Sequence, residues 1–319
     1  MTTWQRFATT DPPTPPQPGD PPRSRDERLA YHSAFVTIRT PAISQLATQV
    51  RTLMILGRHQ QTTARPSLIV TGPAAAGNPT ALLNVGRACH LAHTRQNPTP
   101  PGSAHTAAPV AYVLVPPGAT AKTLITEFAR YLGIPVTTRM TQTQITDAVC
   151  HTYTHAGIHL VLIDEIHRLN PRTTTGAQTA DLIKDLTERL PATFVYAGIN
   201  LPDTPLFTGV RGAQLAGRAT LIDCGPLPAR HGTRHPFRDA ITDIENALDL
   251  QQHKVGTLPR HAPYLHQRTA GRIGSLTRLI RQAAITAIHD GTERITKQAL
   301  ETIRLDHLAE QHNRPTRKH

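Results

Sequence analysis

Apolar residues along the chain follow two rhythms. Short and nearly continuous runs, at 67–72, 111–115, 160–163, 192–199 and 219–224, have the length and composition of strands buried on both faces. Between them, apolar residues return every three or four positions, predicting helices over 81–93, 122–132, 142–154 and 179–190. Strands alternating with helices predict an α/β fold, a doubly wound parallel sheet whose ligand chemistry sits at the carboxyl ends of its strands. Upstream, Leu29, Phe35, Ile43, Leu46, Val50, Leu53 and Leu56 predict two amphipathic helices broken near Pro41 and packed on the sheet domain. Past Gly225-Pro226-Leu227 the pattern is helical throughout, with helices over 237–250, 261–269, 274–289 and 296–309 forming a small bundle. The expected organisation is a disordered Pro-rich tail at 1–25, a core at 26–226, a helical lid domain at 227–311 and a flexible basic tail at 312–319. Trp4 and the prolines after it admit a second reading of the tail, as a docking peptide.

Two strands carry the candidate chemistry. The run His159-Leu160-Val161-Leu162-Ile163 delivers Asp164 and Glu165 to a strand's carboxyl end, which is the Walker B pattern of P-loop NTPases. There the first carboxylate holds Mg²⁺ and the second polarises the attacking water. A phosphate loop should follow the first strand, and Gly72-Pro73-Ala74-Ala75-Ala76-Gly77-Asn78-Pro79-Thr80 has its frame of glycines between strand and helix. Its chemistry departs from the pattern. Asn78 stands where a Lys reaches the β and γ phosphates, and Pro79 where a Ser or Thr hydroxyl binds the metal. Pro79 also withholds one backbone N–H from the cradle, and Thr80 supplies a hydroxyl only one place late. This predicts impaired hydrolysis.

Three further positions follow from the same frame. Asn200 ends a strand beside the Walker B strand, where it would orient a water near Glu165 or cap a turn. Arg218, and after it Arg211, stand where an arginine projects into a neighbouring subunit's phosphate site; each reads equally as a surface or DNA-contacting residue. Arg278 opens a helix of the bundle, where it would face nucleotide, while Arg272, Arg278 and Arg281 together read as a DNA-binding face.

Composition narrows the partners. Thirty-four Lys and Arg against 22 Asp and Glu give a net charge of +12, which favours a polyanion. No stretch approaches the ~20 apolar residues of a membrane span, and no leader is visible at the N-terminus, so the expected polyanion is double-stranded DNA in the cytoplasm. Cys89, Cys150 and Cys224 lie far apart on apolar segments and read as reduced core residues.

The segments 72–83, 161–169, 194–200, 206–218 and 271–280 together resemble the TniB, TnsC and IstB group of AAA+ transposition proteins, TniB most of all. The resemblance extends over about 28–308 and is most specific at Val-Tyr-Ala-Gly-Ile (195–199) and Leu-Phe-Thr-Gly-Val-Arg-Gly (206–212). It implies ATP and Mg²⁺ as ligands, Asp164 and Glu165 as Walker B, Asn200 as sensor one, Arg211 or Arg218 as the finger and Arg278 as sensor two. It also implies a homo-oligomeric ring or helical filament on target DNA that recruits or stimulates a transposase. A nucleotide-independent scaffold and an active ATPase with an unorthodox loop are the alternatives left open by Asn78 and Pro79.

Overall fold

The computed structural model describes residues 3–34, 38, 40–57, 65–98, 108–169 and 174–313, of which 3, 78, 174–177, 210, 211 and 313 are described as backbone alone. Two compact units emerge, one of Met1–Thr10, Ala42–Ala74 and Asn78–Cys224, the other of Asp11–Pro41, Ala75–Gly77 and Gly225–His319.

The first unit is a five-stranded, all-parallel sheet. Its strands are β1 (Ser67–Gly72), β2 (Val110–Leu114), β3 (Leu160–Asp164), β4 (Thr193–Ile199) and β5 (Ala219–Asp223), in the order β2-β3-β4-β1-β5. The chain leaves β1, runs out to the β2 edge, returns through β3 and β4, and crosses to β5 on the other side. The order therefore reverses at β1, whose carboxyl end is the crevice where ligands bind in sheets of this kind. β1 and β3 are buried at every residue because helices cover both faces, which is why they read as unbroken apolar runs.

One face carries α5 (Ala121–Tyr131), α6 (Gln142–His155) and α7 (Thr174–Arg189), packing Leu124, Phe128, Ile145, Tyr153, Ile183 and Leu186 against Val113, Val161 and Ile163. The other carries α3 (Pro41–Gly57) and α4 (Asn78–Gln96), packing Leu46, Val50, Leu53, Leu82 and Val85 against Leu68, Val70, Leu160 and Leu162. α8 (Gly209–Ala216) leads into β5. The three cysteines are free and buried or half-buried, and burial pushes each thiol up to about 11.

The N-terminal segment differs from the expectation of an unpacked tail. α1 (Thr3–Thr9) lies on the α4 side of the sheet, with Trp4 only 5% exposed and Ala8 fully buried. Gly86 of α4 makes the fit, since a Cβ there would meet both the Trp4 indole and Leu162 at 2.6 Å.

In the second unit α2 (Arg25–Ser33) packs with α9 (Pro236–Asn246), α10 (Thr257–Arg260), α11 (Ala262–Thr269), α12 (Ile273–His289), α13 (Lys297–Thr302) and α14 (His307–Asn313). Its core holds Phe237, Ile241, Leu265, Leu276, Leu279, Ile280 and Leu300. Here too the expectation is corrected: α3 belongs with the sheet, whereas α2 belongs with the C-terminal helices. The buried Arg28 guanidinium explains it, forking onto both carboxylate oxygens of Glu293 (Nη2 to Oε1, 2.9 Å). Arg281 closes the other end of α2 by donating to the carbonyls of His32 (2.9 Å) and Ser33 (2.6 Å). Arg281 is therefore engaged inside the unit and is not part of a free DNA-binding face. The expected basic tail, apart from 312–313, lies outside the described residues.

Candidate nucleotide site

Asp164, at the carboxyl end of β3, is 2% exposed and has two partners. The Glu165 N–H donates to Oδ1 (2.8 Å) and the Tyr112 hydroxyl to Oδ2 (2.7 Å). Strand register explains the second bond. Tyr112 and Leu162 are paired across β2 and β3, and Asp164 projects from the same face two residues on, within reach of a phenol. Burial raises the Asp164 carboxyl above its ordinary value, against the lowering effect of these bonds; burial and the nearby carboxylates push the Tyr112 hydroxyl up as well. The Tyr112 ring is itself stacked by Trp4, centroid to centroid 5.6 Å with planes 13° apart.

Glu165 opens a short 3-10 turn in left-handed backbone, φ 58°, and its Oε2 meets Arg168 Nε at 3.0 Å and His167 Nε2 at 3.6 Å. Arg168 also donates to the Val115 carbonyl at 3.3 Å. The Ile199 N–H donates to His167 Nδ1 (3.2 Å), so the neutral ring carries its proton on Nε2, facing Glu165. Gly198 permits that approach, because a Cβ there would stand 2.8 Å from Nδ1.

Asn200 follows β4, exposed and left-handed at φ 48°. The pairings Ile163 with Tyr196 and Gly72 with Ile199 bring the ends of β1, β3 and β4 to one side of the sheet. The Leu201 N–H donates to Thr71 Oγ1 at 3.0 Å, tying the Asn200 turn to the strand that starts the loop. After Gly72 the loop turns through Ala75 (φ 64°) and Gly77 (φ 96°) into α4, with Pro79 in its first turn. Left-handed backbone costs a non-glycine residue about 1 kcal/mol. Ala75, Glu165 and Asn200, all candidate site residues, adopt it.

Gly72, Pro73, Ala74, Asp164, Glu165 and Asn200 thus come to one end of the sheet, with α4 of Asn78 and Thr80 starting there. Ala75, Ala76 and Gly77 group by contact with the second unit, where the Gly274 N–H donates to the Ala75 carbonyl at 3.0 Å. Arg278 is exposed on α12 of that unit, its charge one of several influences lowering the Asp306 carboxyl despite burial. Arg218 lies elsewhere: its carbonyl accepts from Ser67 N–H at the amino end of the sheet, and its side chain, about half exposed, faces Glu188 at 3.6 Å. Within one chain it cannot serve the Asp164 end. Arg211 is described only as backbone in α8. The pattern of the sequence missed Tyr112, His167 and Arg168; the i, i+3 spacing of Arg168 from Glu165 was the one available signal.

The residues present suit a triphosphate in part. Backbone N–H groups of a loop that opens a helix suit phosphate, less the one Pro79 lacks. The metal fares worse. No hydroxyl stands at position 79, and each oxygen of Asp164 already accepts one hydrogen bond, which leaves one lone pair on each. No hydrolytic step through a metal follows from this site.

A parallel sheet in this order, with a phosphate-type loop after β1 and paired carboxylates after β3, is the P-loop NTPase fold in its AAA+ form. The structure is similar to the ORC1 protein of Aeropyrum pernix in complex with DNA, at TM-score 0.59 and 18% identity over 88% of this chain and 68% of that one. It is also similar to Cdc6p of Pyrobaculum aerophilum (TM-score 0.59, 15% identity, 83% and 67% covered) and to the ORC2 protein of Aeropyrum pernix in its ADP form (0.56, 13%, 83% and 68%). No curated protein matches the sequence. The model of the bacterial TniB protein family matches residues 28–209, and the chain belongs to that family.

Proposed function

We propose that this TniB-family chain is a DNA-associated AAA+ regulator of transposition that binds nucleotide without efficient hydrolysis. It assembles head to tail on double-stranded DNA and recruits or stimulates a transposase. The observation that carries the reading is a mismatch: Asp164 and Glu165 follow the Walker B pattern at the carboxyl end of β3, while the loop after β1 has Asn78 where the pattern has Lys and Pro79 where it has a hydroxyl. Without the Lys, no fixed charge meets the β and γ phosphates, and transition-state charge goes unneutralised. Glu165 is held by Arg168 and His167 instead of standing free toward a water.

Three lines support the rest. Membership of the TniB family supports transposition. The similar folds solved with DNA and with ADP, together with the net charge of +12, support duplex DNA and nucleotide as ligands. The exposed Arg218, away from its own chain's carboxylates, suits a finger offered to a neighbouring subunit with Arg211 as the second candidate, and Arg278 suits a sensor. The expected setting is the cytoplasm; among the described residues no helix is long and apolar enough to cross a membrane. Equilibrium binding of ATP to the full chain, with and without duplex DNA, tests the reading. Binding that DNA strengthens is expected, whereas no ATP binding under either condition would leave the nucleotide-independent scaffold standing.

A further inference from the structure

Between α8 and α9 the second unit presents a small basic hairpin. His231 and Arg234 pair antiparallel, each N–H donating to the other's carbonyl (2.9 and 3.0 Å), around Gly232 at φ 60°. Every residue from Pro228 to His235 is exposed, as is Arg238 in the first turn of α9. From Gly225 to Arg238 there is no acidic residue, against Arg230, Arg234 and Arg238 and the two histidines His231 and His235.

What matters in this cluster is that three arginines close in sequence, with no acidic residue among them, all lack a carboxylate partner among the described residues. Arg23, Arg28, Arg130, Arg168, Arg189, Arg218 and Arg268 each meet a carboxylate. Arg230, Arg234 and Arg238 meet none among the described residues, even though Asp239 and Asp243 lie close in sequence on α9. Among the three arginines one side-chain hydrogen bond is made, Arg230 Nε to the Gly232 carbonyl at 3.0 Å; it stiffens the turn and engages neither terminal nitrogen. Three unneutralised guanidiniums on a narrow, backbone-stiffened projection form a concentrated positive field, and duplex DNA offers the matching line of phosphates.

We propose that this hairpin, Arg230 to Arg234 with Arg238, is a contact surface for the phosphate backbone of duplex DNA. The proposal rests on the DNA-associated reading above and names where the contact lies. It replaces Arg281, whose guanidinium is committed to α2. Contacts to phosphate carry no base identity, so binding through this surface is expected to be indifferent to sequence.

The test is a salt series on the full chain, with fluorescence anisotropy of a labelled duplex, for the wild type, a triple variant (Arg230→Ala, Arg234→Ala, Arg238→Ala) and the matching triple Lys variant. Thermal melts confirm that each variant folds. The triple Ala variant is expected to lower the slope of log K against log salt by about 2.7 units, and the Lys variant to restore it. An unchanged slope in the triple Ala variant, or a loss that Lys does not restore, overturns the hairpin while leaving DNA binding intact. A wild type that shows no salt-dependent duplex binding overturns both. Anionic phosphatidylserine vesicles serve as the control: loss of vesicle binding with duplex binding retained overturns the proposal.

Discussion

Asp164 shows how much of the site one residue carries. It is an ionisable group with almost no exposure, its carboxyl raised by burial, while the Tyr112 hydroxyl and the Glu165 N–H favour the ionised form and oppose that rise. A buried carboxylate oxygen left without its partner costs about 1–3 kcal/mol, so Tyr112→Phe should destabilise the sheet unit by that order. The pH dependence has a definite sign. The native carboxyl is raised above its unfolded value, so between the two values the native state binds more protons, and stability falls as pH rises through that window. Phe at 112 raises the native value further. Its penalty should then be larger at about pH 7.5 than at about pH 4, as read by urea unfolding; equal penalties at both would show that the hydroxyl does not serve the ionised carboxylate. The carboxylates themselves were legible in the sequence, because two adjacent acids after an apolar run mark a strand's carboxyl end and the glycines at 72 and 77 supply the matching loop. Tyr112 and His167 were not, since their partners are set by strand register and by the Ile199 N–H, neither of which leaves a mark in spacing.

Among the elements, α1 departs furthest from its composition. Prolines and threonines make residues 1–25 look unable to pack, yet Trp4, Phe7 and Ala8 fall at helical spacing on one short segment, and Trp4 stacks on the tyrosine that holds Asp164. Trp4 is the sole tryptophan, so emission excited selectively from tryptophan, without the six tyrosines, reports this helix alone. Wild-type emission should be blue-shifted, and Gly86→Ala, whose Cβ would stand 2.6 Å from the indole, should move it toward the solvent-exposed value. Emission already solvent-like in the wild type would refute the docked helix. For α2 the sequence foretold a helix but not its partners: periodicity reports that a face is buried, and Glu293 lies 265 residues from Arg28. Removing one member of a buried ion pair strands the other, so Arg28→Ala should cost about 3–5 kcal/mol in chemical unfolding. A loss below about 1 kcal/mol would place that pair in solvent. Strands were read most faithfully, all five within a residue or two, because burial on both faces imposes an apolar run in β1 and β3; β5, expected to be buried on both faces, is an edge strand with Ile222 alone buried and Leu221 48% exposed.

At the scale of the whole molecule, two features point outward. On the proposed reading, a candidate phosphate loop at the carboxyl end of the sheet and an exposed Arg218 at the amino end would meet across a heterologous interface, which closes into rings or extends into filaments. Arg218→Ala should lower the assembled fraction in sedimentation at fixed protein and duplex concentration; a monomer under every nucleotide and DNA condition would contradict the interface. The α/β class and the helical C-terminal region were legible because strands and helices alternate and then cease to. The assignment of α2 and of Ala75–Gly77 to the second unit was not, because it depends on contacts between segments far apart in the chain. The central claim is that the phosphate loop, with Asn78 and Pro79, is the main limit on turnover at the candidate site. The most direct measurement is steady-state phosphate release from ATP by the wild type and by Asn78→Lys with Pro79→Thr, each with duplex DNA and Mg²⁺. The account predicts turnover near background for the wild type and a rise of at least about tenfold for the double variant, lost again on adding Glu165→Gln. Wild-type turnover at the rate of an ordinary ATPase, abolished by Glu165→Gln alone, would contradict it.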